Sequence, residues 1–590
     1  MKTIDHMAKA RSAAHPVTFD NTIGLFQPST LSSASVAVLF LSPWGLEEMF
    51  TRKVWRTMAE ALADQGIASL RFDYPGTGDA LDLPDYPEGI ETWAKSAVAA
   101  GDQLKTLSGC TRIVLISQGL GAAIATLIAK RLKGVEAIAF LAPVISGRAY
   151  VRELQFWSRM IDDGLGLTDD QRQTDGVSIA GLTIPAEIAA DVRKINLTTL
   201  AEFAVPKCLV GCRGDRPADI AFAGQLRALG STVEEIEYGG YDAMVSNPSV
   251  SRVPLQIVED VVAWTAAIAG EQEAAGKHAV SSVPIALPSG DDTYRETPVT
   301  FGRNNRLFGV LCEPRGKRRG ATALLLGTAY DRSAGWGRMG VSMARQLASD
   351  GIASLRFDAA NIADSPPCEG ESEQVLYNAS QLLDIREAKE FLDDKLPGPS
   401  VLAGRCSAGY QAFRAAVGDE KFRGAVLVNP YVFEWDPGRN VDEALTAPPR
   451  SLDTYKQRLF QAETFRRLIS GRIDVGQALV NIMKAVGKRL SHVARPLLDL
   501  LPGYGDEHRR VSSSFRTLAD RDVKLTLLYS ENDVGCDHLI RHFGKDGAGL
   551  RKYPNVELGF IPGSDHNLTP ESARRRYIEA VRDVALNAAP

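Results

Sequence analysis

The sequence predicts an α/β protein made of two mostly parallel sheets in tandem, each flanked by helices. Three observations carry this expectation. Short apolar runs alternate with helical patterns along the chain. The octapeptide GIASLRFD occurs at 66–73 and again at 351–358, an offset of 285 residues. A length of 590 residues, with 45% apolar and 24% charged side chains, suits two large globular domains.

Around the octapeptide the likeness continues. WRTMAEALADQ at 55–65 stands against GVSMARQLASD at 340–350, and PVTF at 16–19 recurs at 298–301. A period this long is no solenoid unit; it fits a duplicated whole domain. In the first copy the expected strands are 36–43, 67–73, 112–117, 137–143 and 207–212. In the second they are 321–327, 352–358, 400–404, 424–430 and 523–530. A helical insertion is expected between the last two strands of each copy, at about 145–204 and about 431–519. An amphipathic helix over 253–268 closes the first copy. After it comes a polar stretch rich in Gly, Ser and Pro. The division is therefore 1–270, a linker at 271–295, and 296–590.

Composition excludes several classes. A net charge of −5 gives no general reason to expect nucleic acid as a partner. No run approaches the roughly 20 apolar residues of a membrane span, and the first residues lack an apolar signal core. Seven cysteines form no disulfide framework, so a reducing, cytoplasmic setting is expected. No cofactor motif is present, and no metal site is expected. Cys536 and His538 lie close together but offer only two ligand types on a helix start.

The run of strand, turn and helix, with RFDYPGTGDA after the next strand, resembles an α/β-hydrolase. Asp73, Gly76 and Gly78 match the Asp-x-x-Gly-x-Gly turn that commonly follows that fold's fourth strand. The insertions match its cap in position. The resemblance covers nearly the whole chain and implies a nucleophile elbow, an acid after a later strand and a histidine after the last. The fold alone does not fix the chemistry.

In the first copy the elbow reads Ser117-Gln118-Gly119-Leu120-Gly121, which puts Gly119 at the nucleophile position. Asp215 falls at the acid position and Tyr241 at that of the base. This copy is expected to be non-catalytic, with room left at Gly119 where a nucleophile's side chain is missing. In the second copy the elbow is Gly404-Arg405-Cys406-Ser407-Ala408-Gly409. Cys406 aligns as nucleophile, Asp533 as acid and His566 as base. Ser407 remains a competing nucleophile and Glu531 a competing acid. Backbone amides of Ser407 and Ala329 are expected to form the oxyanion hole. A cysteine in the elbow is similar to dienelactone hydrolases and polyhydroxyalkanoate synthases, though Ala408 replaces the synthases' second glycine.

The resemblance implies acyl chemistry on a small-molecule ester or thioester through a cysteine acyl-enzyme. An acyltransferase acting on a saccharide or other alcohol, and a non-enzymatic binding scaffold, stand as alternatives. Between 450 and 495 ten basic residues face three acids. That stretch reads either as a solvated helix face or as a guide for an anionic substrate.

Overall fold

The computed structural model describes residues 13–588 except 31–34, 166, 169–171, 173–175, 246–250, 271–285, 369, 371–375, 437–440, 442–503 and 532. The basic stretch at 450–495 and most of the expected second insertion lie outside the described residues.

The first half folds around an eight-stranded sheet. Its strands are β1 (His15–Phe19), β2 (Thr22–Gln27), β3 (Val36–Leu41), β4 (Ser69–Phe72), β5 (Arg112–Gln118), β6 (Val135–Leu141), β9 (Lys207–Cys212) and β10 (Thr232–Glu237). They lie in the order β1-β2-β4-β3-β5-β6-β9-β10, and all pairs beyond β4 are parallel. A small hairpin, β7 (Val177–Ile179) with β8 (Leu182–Ile184), stands apart from the sheet. The second half repeats the order. A short β11 (Leu287–Pro288) precedes β12 (Tyr294–Phe301), β13 (Leu307–Pro314), β14 (Thr322–Leu326), β15 (Ser354–Phe357), β16 (Ser400–Arg405), β17 (Phe422–Val428), β18 (Lys524–Ser530) and β19 (Val556–Ile561). These run β11-β12-β13-β15-β14-β16-β17-β18-β19.

The apolar runs become central strands because both faces are covered. In β3, Val36, Val38 and Phe40 pack with the helices α1 (Leu46–Asp64) and α8 (Leu255–Ala269) on one face. Ala37, Leu39 and Leu41 enter the other core with α2 (Ile90–Ser108) and α3 (Gly121–Ile128). This is the two-residue period of a strand sorting side chains to opposite faces. In β14, Ala323 and Leu325 face one core and Leu324 the other.

Three features differ from the sequence expectation. Each half has a further strand, β10 or β19, so the insertion lies before the last two strands of the sheet. The first insertion is also not wholly helical. It contains α4 (Gly147–Leu165), the β7–β8 hairpin and α5 (Ala186–Val192). Strand structure begins at Leu287, inside the stretch read as linker.

The halves meet through the turns after β4 and β15 and through β2 and β13. Ile23 and Leu25 cluster with Phe308 and Val310, which stand 285 positions later. Around this apolar patch lies a buried ion network. Arg71 Nε reaches Asp364 Oδ1 at 2.6 Å, and Arg356 Nε reaches Asp79 Oδ1 at 3.0 Å. Arg52 bridges Asp364 (2.6 Å) and Asp73 (3.1 Å), while Arg332 bonds Asp73, Asp79 and Glu48. Among the described residues no helix is long and apolar enough to cross a membrane.

Candidate active site

In the second half, β16 delivers the chain into a sharp turn at Cys406, which caps the helix α11 (Ser407–Gly418). Cys406 has φ 55° and ψ −122°, a conformation that L-residues rarely adopt and that costs on the order of 1–3 kcal/mol. The turn needs Gly404, because a Cβ there would lie 2.3 Å from the carbonyl oxygen of Ala408. The Cys406 N–H donates to Val428 O, tying the elbow to β17.

His566 lies in the loop after β19. Its Nδ1 is 2.6 Å from Asp533 Oδ2, and Asp533 Oδ1 accepts the N–H of Gly535 at 2.8 Å. The ring also acts on the Cys406 thiol, each group favouring the charged form of the other. Burial opposes the Cys406 thiolate, but His566 outweighs it and holds the thiol below its ordinary value. Burial likewise opposes the imidazolium, yet Cys406 and Asp533 push His566 up to about 10. The two shifts belong to the pair together, since each group favours the charged form of the other. Glu531, the competing acid, is exposed and makes no bond to His566.

The backbone of the histidine loop is held from the elbow. Arg405 Nη1 donates to His566 O (3.3 Å) and Asn567 Oδ1 (2.7 Å), while Asn429 Nδ2 donates to His566 O at 3.1 Å. Arg405, irregular as an elbow residue, thus has a positioning part to play.

Ser407 is buried, and its hydroxyl accepts the N–H of Ala329 at 2.9 Å. The Ala329 amide, expected in the oxyanion hole, is therefore engaged with a side chain here. Thr328 Oγ1 donates to Arg405 O, fixing the same loop to the elbow. An apolar wall adjoins the site: Ala329, Leu376, Tyr377, Val432 and Trp435 form one cluster. Tyr377 stacks on Trp435 at 4.3 Å and meets Tyr410 edge-on. Burial and the nearby Cys406 charge push the Tyr377 phenol up.

In the first half Gly119 occupies the matching turn, with φ 53° and its N–H on Leu141 O. The expected room is not there. A Cβ on Gly119 would lie 2.5 Å from Glu47 Oε2 and 2.9 Å from Pro43 Cβ. Glu47 fills the gap and accepts hydrogen bonds from Gln118 and from the Tyr241 hydroxyl, both at 3.1 Å. Tyr241 therefore faces the elbow, as its position implied. Asp215 does not: its side chain is 73% exposed and pairs only loosely with Arg216 at 3.5 Å. The buried carboxylate of this region is Asp219, which takes both the backbone N–H and the guanidinium of Arg213. Neither Glu47 nor Asp219 carries a sequence signal for its position, since each is placed by tertiary packing.

A cavity of about 870 Å³ opens between the halves, lined by Trp44, Gly76, Leu182, Arg332, Arg338 and Arg574 among others. Cys406, Asp533 and His566 are not among its lining residues.

Strand order, elbow and the loop positions of the site define an α/β-hydrolase fold. The model of the Alpha/beta hydrolase family matches residues 38–251, which lie in the half whose elbow carries Gly119. Among solved structures, the chain is similar to Est1E of Butyrivibrio proteoclasticus bound to ferulic acid, with 17% identity and a TM-score of 0.32 over 43% of this chain and 98% of that one. It is also similar to a dienelactone hydrolase from Anabaena variabilis, at 13% identity and TM-score 0.29 over 50% and 100% of the two chains. A Pyrococcus furiosus esterase gives 14% identity and 0.31 over 53% and 100%. No curated protein sequence matches the chain.

Proposed function

We propose that the chain is a tandem of two α/β-hydrolase domains, 1–270 and 296–590, in which the second hydrolyses an ester or thioester through a cysteine acyl-enzyme. The observation that carries this reading is the series Cys406, His566 and Asp533, with His566 bonded to Asp533, its charge acting on the Cys406 thiol, and the cysteine held at positive φ on a helix N-terminus. The equal strand orders and the 285-residue offset support duplication. In the first half Glu47, packed against Gly119, fits a non-catalytic role.

The steps follow from the residues. The Cys406 thiolate attacks the acyl carbonyl, and the tetrahedral oxyanion forms near the amides of Ser407 and Ala329. For Ala329 to serve, its N–H must turn from the Ser407 hydroxyl to the oxyanion. As the intermediate collapses, the imidazolium of His566 gives its proton to the leaving alkoxide or thiolate. Neutral His566 then takes a proton from water, which attacks the thioester and releases the acid. Asp533 keeps the ring's Nδ1 side bonded throughout. The wall of Tyr377, Trp435 and Leu376 favours an apolar or aromatic acyl group. The basic stretch that spoke for an anionic substrate is outside the described residues and adds nothing to this choice.

Intact-mass measurement after brief exposure to an acyl thioester tests the reading. One acyl adduct is expected on the wild-type chain and none on Cys406→Ala. An adduct that persists in Cys406→Ala but vanishes in Ser407→Ala would transfer the nucleophile's role to Ser407. Addition of alcohol acceptors, with analysis of the products, separates hydrolysis from acyl transfer.

A further inference from the structure

Close to the Asp533 turn, three side chains that no step of the reaction uses converge. The helix α13 (Cys536–Phe543) carries His538 and His542 one turn apart, and α12 (Tyr504–Asp520) brings Glu507 to them. One donor atom from each of the three lies within 4.8 Å of the others. His542 is sealed inside, with its side chain 1% exposed, and neither ring nitrogen makes a hydrogen bond among the described residues. Its Nε2 instead faces Glu507 Oε1 at 3.4 Å. The second carboxylate oxygen, Oε2, is held by Arg541 at 2.9 Å, which fixes the direction of Oε1. The His508 ring stacks on that of His542, centroids 5.8 Å apart.

A buried imidazole normally finds a hydrogen-bond partner. A charge-assisted bond to a carboxylate would close to about 2.7–2.9 Å. The observed spacing is longer, and it is that of neighbouring ligands on a metal. Two atoms each about 2.1 Å from a tetrahedral zinc ion stand about 3.4 Å apart. Two imidazoles and one carboxylate are also an established zinc donor set, and histidines four apart on a helix present their rings on one face. We propose that Glu507, His538 and His542 form a binding site for a divalent transition metal, zinc being the ion their chemistry suits best. The bound ion would staple α12 to α13, the helix that begins just after Asp533. The sequence concealed the set because Glu507 lies on a separate helix, upstream of β18.

The test uses the full chain with Cys406 first alkylated by iodoacetamide, so that the thiolate–imidazolium pair cannot hold the probe. Zn²⁺ alone is titrated, and bound metal is counted by elemental analysis after gel filtration. One equivalent is expected, with a rise in melting temperature as the ion binds the folded state. Glu507→Gln and His538→Gln should each weaken binding by at least about 100-fold, since even outer partners of metal ligands are worth 10–100-fold. Both positions are partly accessible, so circular dichroism can verify the fold of each variant. Co²⁺ should give a spectrum of nitrogen and oxygen ligands without thiolate charge transfer. A wild-type chain that retains no zinc, variants that retain as much, or a thiolate band would each overturn the site. Any of these would leave Glu507–His542 as an ion pair between helices. None of these readouts depends on the chain's having esterase activity.

Discussion

Arg71 and Asp364 pair across the boundary between the halves, and the same pair recurs in mirror image as Arg356 and Asp79. Each partner of the second pair stands 285 positions from its counterpart in the first. Residue i of one half meets residue j of the other, and j meets i, which is the signature of an isologous two-fold interface. The two halves therefore join as a dimer joins, within one chain. Such burial makes the pairs costly to break. Arg71 is fully buried, and its two terminal nitrogens have no other hydrogen bond among the described residues.

Asp364→Ala strands Arg71 and leaves Arg52 with Asp73 as its remaining carboxylate partner. Breaking a buried pair in this way costs about 3–5 kcal/mol, whereas replacing both partners by apolar side chains can be nearly neutral. Urea denaturation should show the large loss for Asp364→Ala and a smaller one for Arg71→Met with Asp364→Leu. Equal losses would mean that the pair's charge is not what matters at this position.

The network also sets a pH dependence with two limbs. Burial opposes ionisation of Glu296, but Arg356 and Arg345 outweigh it and hold the carboxyl down at about 2; Asp73 and Asp364 are lowered by arginines in the same way. Their stabilisation is present above the unfolded value near 4 and is lost as pH falls toward 2. Burial pushes Asp358 up to about 7 and Asp331 up to about 6. These two give up stability as pH rises from about 4 to 7, because only the unfolded chain ionises them freely. The urea midpoint should thus peak near pH 4, where the two limbs meet. Asp358→Asn should flatten the upper limb, and an unchanged upper limb would remove Asp358 from this account.

The pair at the elbow predicts how Cys406 reacts. With the thiol held down by His566, alkylation by iodoacetamide should stay fast well below the ordinary thiol range near 8.5. His566→Ala should shift the rate profile up toward that range and reduce ester turnover by on the order of 10³-fold. A profile for His566→Ala that matches the wild type would break the link between the two groups.

Sequence patterns made the central strands readable because VAVLFL or TALLL can be satisfied only between two covered faces. The edge strands escaped for the opposite reason. TVEEIE in β10 is exposed except at Val233 and Ile236, which are half-buried, so no apolar run marks it. The elbow was equally legible, because its constraints are local: a glycine that must lack a Cβ and a residue forced to positive φ. What stayed hidden depended on distant parts meeting. Glu47 reaches Gly119 from the helix α1, and Asp215 stands at the acid position along the sequence although the chain turns that side chain into solvent.

Glu47 makes the first elbow a testable contrast. Gly119→Ser meets Glu47 Oε2 at 2.5 Å and asks an L-residue to hold φ 53°. The substitution should lower the melting temperature and create no esterase activity in a Cys406→Ala background. Adding Glu47→Ala should restore part of the stability by removing the clash. If Gly119→Ser melts like the wild type, Glu47 does not fill the elbow in solution.

Arg332 gives the first half a way to act on the second site. It follows the loop that carries Ala329, and its guanidinium is locked into Asp73, Asp79 and Glu48 of the first half. One residue earlier, Asp331 faces Arg405 at 3.6 Å, and Thr328 bonds the elbow directly. The loop is thus pinned at both ends, once by the elbow and once by the neighbouring half. Loosening the far end should displace the Ala329 amide while leaving Cys406 and His566 in place. A displacement of about 1 Å at a reacting centre can cost as much as 10²-fold in rate. Arg332→Met is expected to lower kcat for a small ester by about 10–100-fold with little change in KM. Alkylation of Cys406, which forms no oxyanion, should proceed at the wild-type rate. A variant that loses alkylation together with turnover has lost the fold of the site, and one that keeps full kcat shows that the grip on Arg332 does not position the loop.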